Sequence, residues 1–160
     1  DLPPVAALAQ ERLQREGLAA RITTHGGSFT QDPLPTGADL VTLVRVAHDH
    51  DDATVLALLR AILAALPLGG SLLLAEPMAQ AEGQSSSTDP YFHFYLMAMG
   101  SGRLRTPQAL AGLMTQAGFT HVEPVPNPMP MHAQLLVGRK SHMATPQCLP
   151  SLTPRSVNTD

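Results

Sequence analysis

Residues 45–52 read R-V-A-H-D-H-D-D, which places one arginine, two histidines and three aspartates in eight positions. An aspartate just before a helix accepts backbone N–H bonds and complements the positive end of the helix dipole. Asp51 or Asp52 is therefore expected to cap a helix that starts near residue 53. That use leaves His48, Asp49 and His50 unexplained. Histidine changes charge near neutral pH, so it can take the proton of a hydroxyl when a carboxylate fixes its ring. A lone histidine is more often a partly buried structural residue, so the surroundings must decide between the two.

A metal centre is the rival chemistry. His48-x-His50-x-Asp52 matches the opening of the H-x-H-x-D-H run that zinc hydrolases carry after a strand. Zinc takes about four ligands, and position 53 is Ala, so the closing histidine is missing. His25, His93, His121, His132 and His142 form no second paired motif. No metal is expected.

The elements that must position the group follow from periodicity. Residues 39–46 are nearly continuously apolar, which predicts a strand covered on both faces, as in a parallel sheet. A helix over 53–66 follows, with apolar residues at 55, 58, 59, 62, 63 and 66. Then L-P-L-G-G turns the chain into a short buried strand, S-L-L-L-A, closed by Glu76. Strand, helix and strand with short joints form a βαβ unit. Upstream, Pro3, Pro4 and the stripe Val5, Leu8, Ala9, Leu13 predict a helix over 3–16, stopped at Gly17. A strand is expected at 20–25, running into Gly26-Gly27-Ser28.

Downstream, residues 78–89 read as a polar loop and 90–100 as a helix. Thr106 caps a helix at 106–117 that Gly118 ends. Strands at 119–125 and 132–138 are close enough in sequence to pair antiparallel. Residues 141–160 lose the apolar pattern and read as a disordered tail. In open parallel sheets, sites form at the carboxyl ends of strands. His48, Glu76, the glycine pair and Asp1 all fall at predicted strand ends, so one rim would gather them.

Composition narrows the classes. The chain has 160 residues, 44% of them hydrophobic, enough for one domain with a sizeable core. Net charge is −3 and only 14% of residues are charged, so no basic stripe is available for nucleic acid. The single cysteine, Cys148, excludes an intramolecular disulfide framework and points to a reducing compartment, most simply the cytoplasm. The start D-L-P-P shows no signal peptide. Residues 55–75 are about as long as a membrane span of roughly 20 residues. Arg60, Pro67, Gly69 and Gly70 interrupt them, which argues for helix, turn and strand.

Five blocks carry a family resemblance: D-L-P-P-V, G-G-S-F, R-V-A-H-D-H-D-D, L-P-L-G-G-S-L-L-L-A-E, and G-R-L-R-T-P-Q-A-L-A-G-L-M-T-Q-A-G-F. In this order over residues 1–120 they resemble the S-adenosylmethionine-dependent O-methyltransferases of the caffeate and acetylserotonin type. Within that family, P-Y-F-H-F-Y-L-M-A-M-G-S-G-R-L-R-T is similar to the carotenoid O-methyltransferases of phototrophic bacteria. The resemblance implies an α/β, Rossmann-like class I methyltransferase sheet, mostly parallel with a C-terminal antiparallel hairpin. It implies S-adenosylmethionine as cofactor and a partial catalytic domain over residues 1–140. His48 would be the general base and Glu76 would hold it. Asp1 would bind the cofactor ribose, Gly26, Gly27 and Ser28 would pass along the adenine, and Arg45 would lie near the cofactor.

The departures from the family pattern are specific. Gly27 stands where the family has an acidic residue, His50 where it has tryptophan, and Pro107 where a glutamate often sits beside the base. The family's first strand and its glycine-rich loop should precede Asp1, as should a helical dimerisation domain. The chain thus looks like the C-terminal part of a longer enzyme, expected to be a homodimer. Tyr91, Phe92, Phe94, Tyr95, Met97 and Met99 fit either a core-facing helix or an apolar wall for a long polyene. The expected acceptor is an apolar small molecule, which allows peripheral membrane association through the substrate. Two other readings stand beside this one: a non-catalytic Rossmann-like module, and a zinc hydrolase built on His48, His50 and Asp52.

Overall fold

A computed structural model describes residues 1–79, 88–128 and 133–141. The loop read at 78–89, the joint at 129–132 and the tail from 142 onward therefore lie wholly or mostly outside the described residues. Four helices and four strands follow in the order α1 (Pro3–Arg15), β1 (Leu40–Val44), α2 (Asp52–Ala65), β2 (Ser71–Glu76), α3 (Thr88–Met99), α4 (Pro107–Ala117), β3 (Thr120–Val125) and β4 (Gln134–Arg139). A single 3-10 turn, Ala47–Asp49, lies between β1 and α2.

The described strands form one sheet in the order β1-β2-β4-β3. β1 and β2 run parallel, with Leu40 opposite Ser71 and Val44 opposite Ala75. β4 pairs antiparallel with β3, as the closeness of the last two strands in sequence predicts, and antiparallel with β2 on its other side. β3 is an edge strand. It tolerates Pro124, which has no N–H to offer, and carries an irregularity between Thr120 and Glu123. β2 lies inside the sheet, and Leu72 and Leu74 are fully buried.

Val55, Leu58, Leu59 and Ile62 form the buried stripe of α2, at the spacing the sequence shows. They join Leu110 and Met114 of α4, Phe119, and Leu136 of β4 in one core. Each fully buried Leu, Ile or Phe contributes about 1.5–3 kcal/mol relative to an exposed one. Thr106 caps α4 by accepting the Ala109 N–H at 3.2 Å. Gly118 ends that helix at φ 112°, a left-handed conformation open to glycine without steric penalty.

Two expectations fail. Residues 20–25 pair with no strand among the described residues. They begin in a turn, where the Arg21 and Ile22 N–H groups donate to Leu18 O at 2.9 and 3.1 Å, and return to α1 through the Thr24 hydroxyl on Gln10 at 2.9 Å. β-propensity makes a strand only where a ladder partner exists. β1 is also shorter than read, and it is not covered on both faces. Leu43 is buried on one face, while Leu40 and Val44, on the other, stay 53% and 56% exposed. Residues 55–75 resolve into α2, a turn and β2. No described helix is long and apolar enough to cross a membrane.

Candidate active site

The chain leaves β1 through Arg45, whose φ of 54° is unusual for a residue with a side chain. It then coils into the 3-10 turn. Glu76, at the end of the adjacent parallel strand, is the anchor. Its carboxylate Oε1 accepts the N–H groups of Val46 at 2.7 Å and Ala47 at 2.8 Å. Oε2 accepts the His48 N–H at 3.3 Å and meets the ring nitrogen Nδ1 at 2.8 Å. Both side chains are buried, His48 4% and Glu76 1% exposed. A carboxylate only accepts, so Nδ1 carries a ring hydrogen, and in the neutral ring Nε2 is the nitrogen with the lone pair.

Around Nε2 the site is acidic and aromatic. Asp49 Oδ1 lies 3.4 Å from it. Among the described residues, this oxygen is the buried side-chain polar atom without a hydrogen-bond partner. Such an orphan is costly beside a neutral ring and relieved beside a cationic one. Phe92 of α3 meets the His48 ring edge-on at 5.9 Å, and Tyr95 lies at 6.1 Å. The buried Phe92 also carries the Arg45 guanidinium 5.8 Å above its ring.

The carbonyl side of the turn is held by residues the sequence reading gave no role. Arg105, 3% exposed, donates from Nη1 to Ala47 O and from Nη2 to His50 O, both at 2.8 Å. Its Nε donates to Asp52 Oδ1 at 2.7 Å. Arg103 donates its backbone N–H to His48 O at 2.8 Å and its side chain to Asp52 Oδ2 at 2.8 Å. Gly102 packs so close to His48 O that a Cβ there would collide with it. Arg105 stands in the quoted R-T motif, but no spacing rule ties it to carbonyls more than fifty positions away.

Asp51, not Asp52, caps α2, accepting the Thr54 N–H at 2.8 Å. That hydrogen bond, first among several causes, holds the Asp51 carboxyl below its ordinary value. The zinc arrangement does not assemble. Both Asp52 oxygens are taken by arginines, His50 lies edge-on to Phe29 at 5.2 Å, and His48 Nδ1 faces Glu76. No cluster of three or more His, Cys, Asp or Glu suited to a metal occurs among the described residues.

Asp1, Gly26, Gly27 and Ser28 gather at the start of α1. The Gly27 N–H donates to Asp1 O at 2.8 Å, and the Asp1 backbone nitrogen donates to His25 O at 3.1 Å. The exposed Asp1 carboxylate accepts the Leu2 N–H at 2.9 Å. A Cβ on Gly27 would lie 3.1 Å from Asp32 Oδ2, which also accepts the Ser28 N–H at 2.8 Å. Asp32 thus places a carboxylate beside position 27. Phe29 joins this group to the His48 turn through His50. Arg45 is brought to α3 and the turn, not to the Asp1 group.

An α/β sheet with a carboxylate-held histidine at a strand end and a carboxylate beside a glycine pair has the character of a methyltransferase domain. The chain belongs to the O-methyltransferase domain family, whose pattern matches residues 1–120. It is 47% identical over 130 residues to the demethylspheroidene O-methyltransferase of Cereibacter sphaeroides, covering 81% of this chain and 34% of that protein. The Rhodobacter capsulatus protein of the same name is 43% identical over 122 residues, covering 76% of this chain and 30% of that protein. Human N-acetylserotonin methyltransferase in complex with S-adenosylmethionine superposes with a TM-score of 0.77 at 27% identity, over 89% of this chain and 39% of that one. The mitomycin 7-O-methyltransferase MmcR superposes equally well, at 0.77 and 27% identity, over 87% and 40%. The chain spans about a third of the length of these curated relatives.

Proposed function

We propose that the whole protein transfers a methyl group from S-adenosylmethionine to a hydroxyl of an apolar acceptor, a hydroxylated carotenoid, with His48 as general base. The observation that carries this reading is the buried imidazole pinned through Nδ1 by Glu76, with its lone-pair nitrogen beside an orphaned carboxylate oxygen. The likeness to two demethylspheroidene O-methyltransferases favours the carotenoid acceptor.

Bound S-adenosylmethionine supplies an activated methyl group on a positively charged sulfur. The residues at the α1 start fit such a ligand. Asp1 offers an exposed carboxylate to ribose hydroxyls, and the Gly26-Gly27 pair, bare of side chains with Asp32 above it, offers backbone to a flat base. Arg45 would lie toward the cofactor from the other side. The acceptor hydroxyl is a poor nucleophile until it loses its proton. As the oxygen–methyl bond forms and the sulfur–methyl bond breaks, leaving a neutral thioether, His48 Nε2 would take the hydroxyl hydrogen. The imidazolium so formed lies between Glu76 and Asp49, two carboxylates that favour its charge. Phe92 and Tyr95 supply apolar surface beside the base for an acceptor of the same character.

In the whole protein, His48→Ala is expected to lower turnover at least about 100-fold, the scale of general-base catalysis, with S-adenosylhomocysteine affinity nearly unchanged. Wild-type turnover in that variant would remove His48 from the reaction. A product assay across hydroxycarotenoids, bacteriochlorophyll precursors and phenols tests the acceptor class. Homodimerisation and peripheral membrane association belong to the same proposal, and chromatography and vesicle flotation test them.

A further inference from the structure

From the geometry around the base turn, we infer that Arg105 is a positioning residue for His48. It acts with Asp52 to set the direction of the ring nitrogen that takes the proton. This rests on the general-base reading above. The turn Ala47–Asp49 has no side-chain cap of its own. Three successive N–H groups at its start, of Val46, Ala47 and His48, point to one anion, Glu76. Its carbonyls have a matching cation, because Arg105 bridges Ala47 O and His50 O, the two ends of the four-residue stretch that contains His48. The turn is therefore clamped between a buried carboxylate and a buried guanidinium.

The clamp needs arginine in particular. Three nitrogens of one planar group serve three partners at once: Ala47 O, His50 O and Asp52 Oδ1. A lysine ammonium could keep the charge beside Asp52, but its point geometry cannot hold all three. Asp52 orients the fork from the first turn of α2, so helix, turn and the 102–105 segment are keyed together. That segment follows directly on α3, whose Phe92 and Tyr95 lie against the His48 ring. Gly102, at φ 95°, lets the segment press on His48 O, and Arg103 donates its N–H to the same oxygen. A shift of α3 would thus reach the base through this segment.

The test uses the whole protein and two variants, Arg105→Lys and Asp52→Asn. Arg105→Lys is expected to lower kcat at least about tenfold, the usual scale for a residue orienting a catalytic group. KM for S-adenosylmethionine should stay near wild type, while the thermal midpoint falls as the buried hydrogen bonds are lost. Labelled-imidazole NMR should show His48 as the Nδ1–H tautomer in wild type and as a mixture in the variant. Asp52→Asn should move both readouts the same way by less, and it decides alone if the lysine variant does not fold. Wild-type kcat and an unmixed tautomer signal in a folded variant overturn the positioning role. If His48→Ala is itself fully active, the general-base reading has failed instead, and the two failures are told apart.

Discussion

Asp49 shows how much a single atom can say about a reaction. A buried carboxylate oxygen without a hydrogen bond is disfavoured by roughly 1–3 kcal/mol or more, so a protein rarely leaves one without cause. Here it faces the nitrogen that would become cationic in turnover. With a neutral ring this contact is unfavourable and proton transfer converts it into a favourable one, and a gain of that kind lowers the barrier rather than tightening binding. Asp49→Asn keeps the shape and loses the charge. It should lower kcat about 10-fold, within the range for groups that support a reacting residue, while KM for the acceptor changes little. An effect confined to KM would make Asp49 a binding residue. His48 and Glu76 were legible in the sequence because each closes an apolar run. Asp49 was not, because burial of one particular oxygen is a property of packing.

At the scale of elements, α2 binds its own start to the site. Asp51 caps it and Asp52, one residue on, grips both arginines, so two adjacent carboxylates do separate work. The pH dependence of the cap follows from the direction of its shift. In the folded chain the Asp51 carboxyl is held below its ordinary 3.8, mainly by the Thr54 N–H. Its contribution to stability is complete above that value and is lost as pH falls through the lower folded value. Thermal melts of Asp51→Ala against wild type should therefore show a lower midpoint at neutral pH and a gap that closes well below pH 3.8. A gap constant with pH would mean that the charge at the cap is idle. Helices and the βαβ unit could be read from sequence because caps, periodicity and glycine stops are local. The strand expected at 20–25 could not be decided locally, since A-R-I-T-T-H has strand character whether or not a neighbour offers a ladder. The exposure of β1 escaped for the same reason, its apolar run being silent about which side has a partner.

Across the whole molecule, the two halves of the candidate site are held with different firmness. The His48 turn is locked to β2, α2 and the 102–105 segment by buried charge. The Asp1 group hangs from α1, which buries only Ala6 among its thirteen residues. It meets the turn through the edge contact of Phe29 with His50. β1 presents Leu40 and Val44 to solvent, and α3 exposes Tyr91, Phe94 and Met97. A ligand resting on the Asp1 side must order that region at the cost of its own binding free energy. Apparent affinity falls in proportion to the fraction of molecules in the competent arrangement. S-adenosylhomocysteine titrated by calorimetry into the 160-residue chain should therefore bind at least about 100-fold more weakly than into the full-length Cereibacter sphaeroides relative. Raising the chain's stability with osmolyte should narrow the difference, because osmolytes favour burial without touching the ligand. Equal affinity would show that α1 and the glycine pair are already set as they stand. Loss of binding to the relative as well would count against methyl transfer itself, whatever the state of α1.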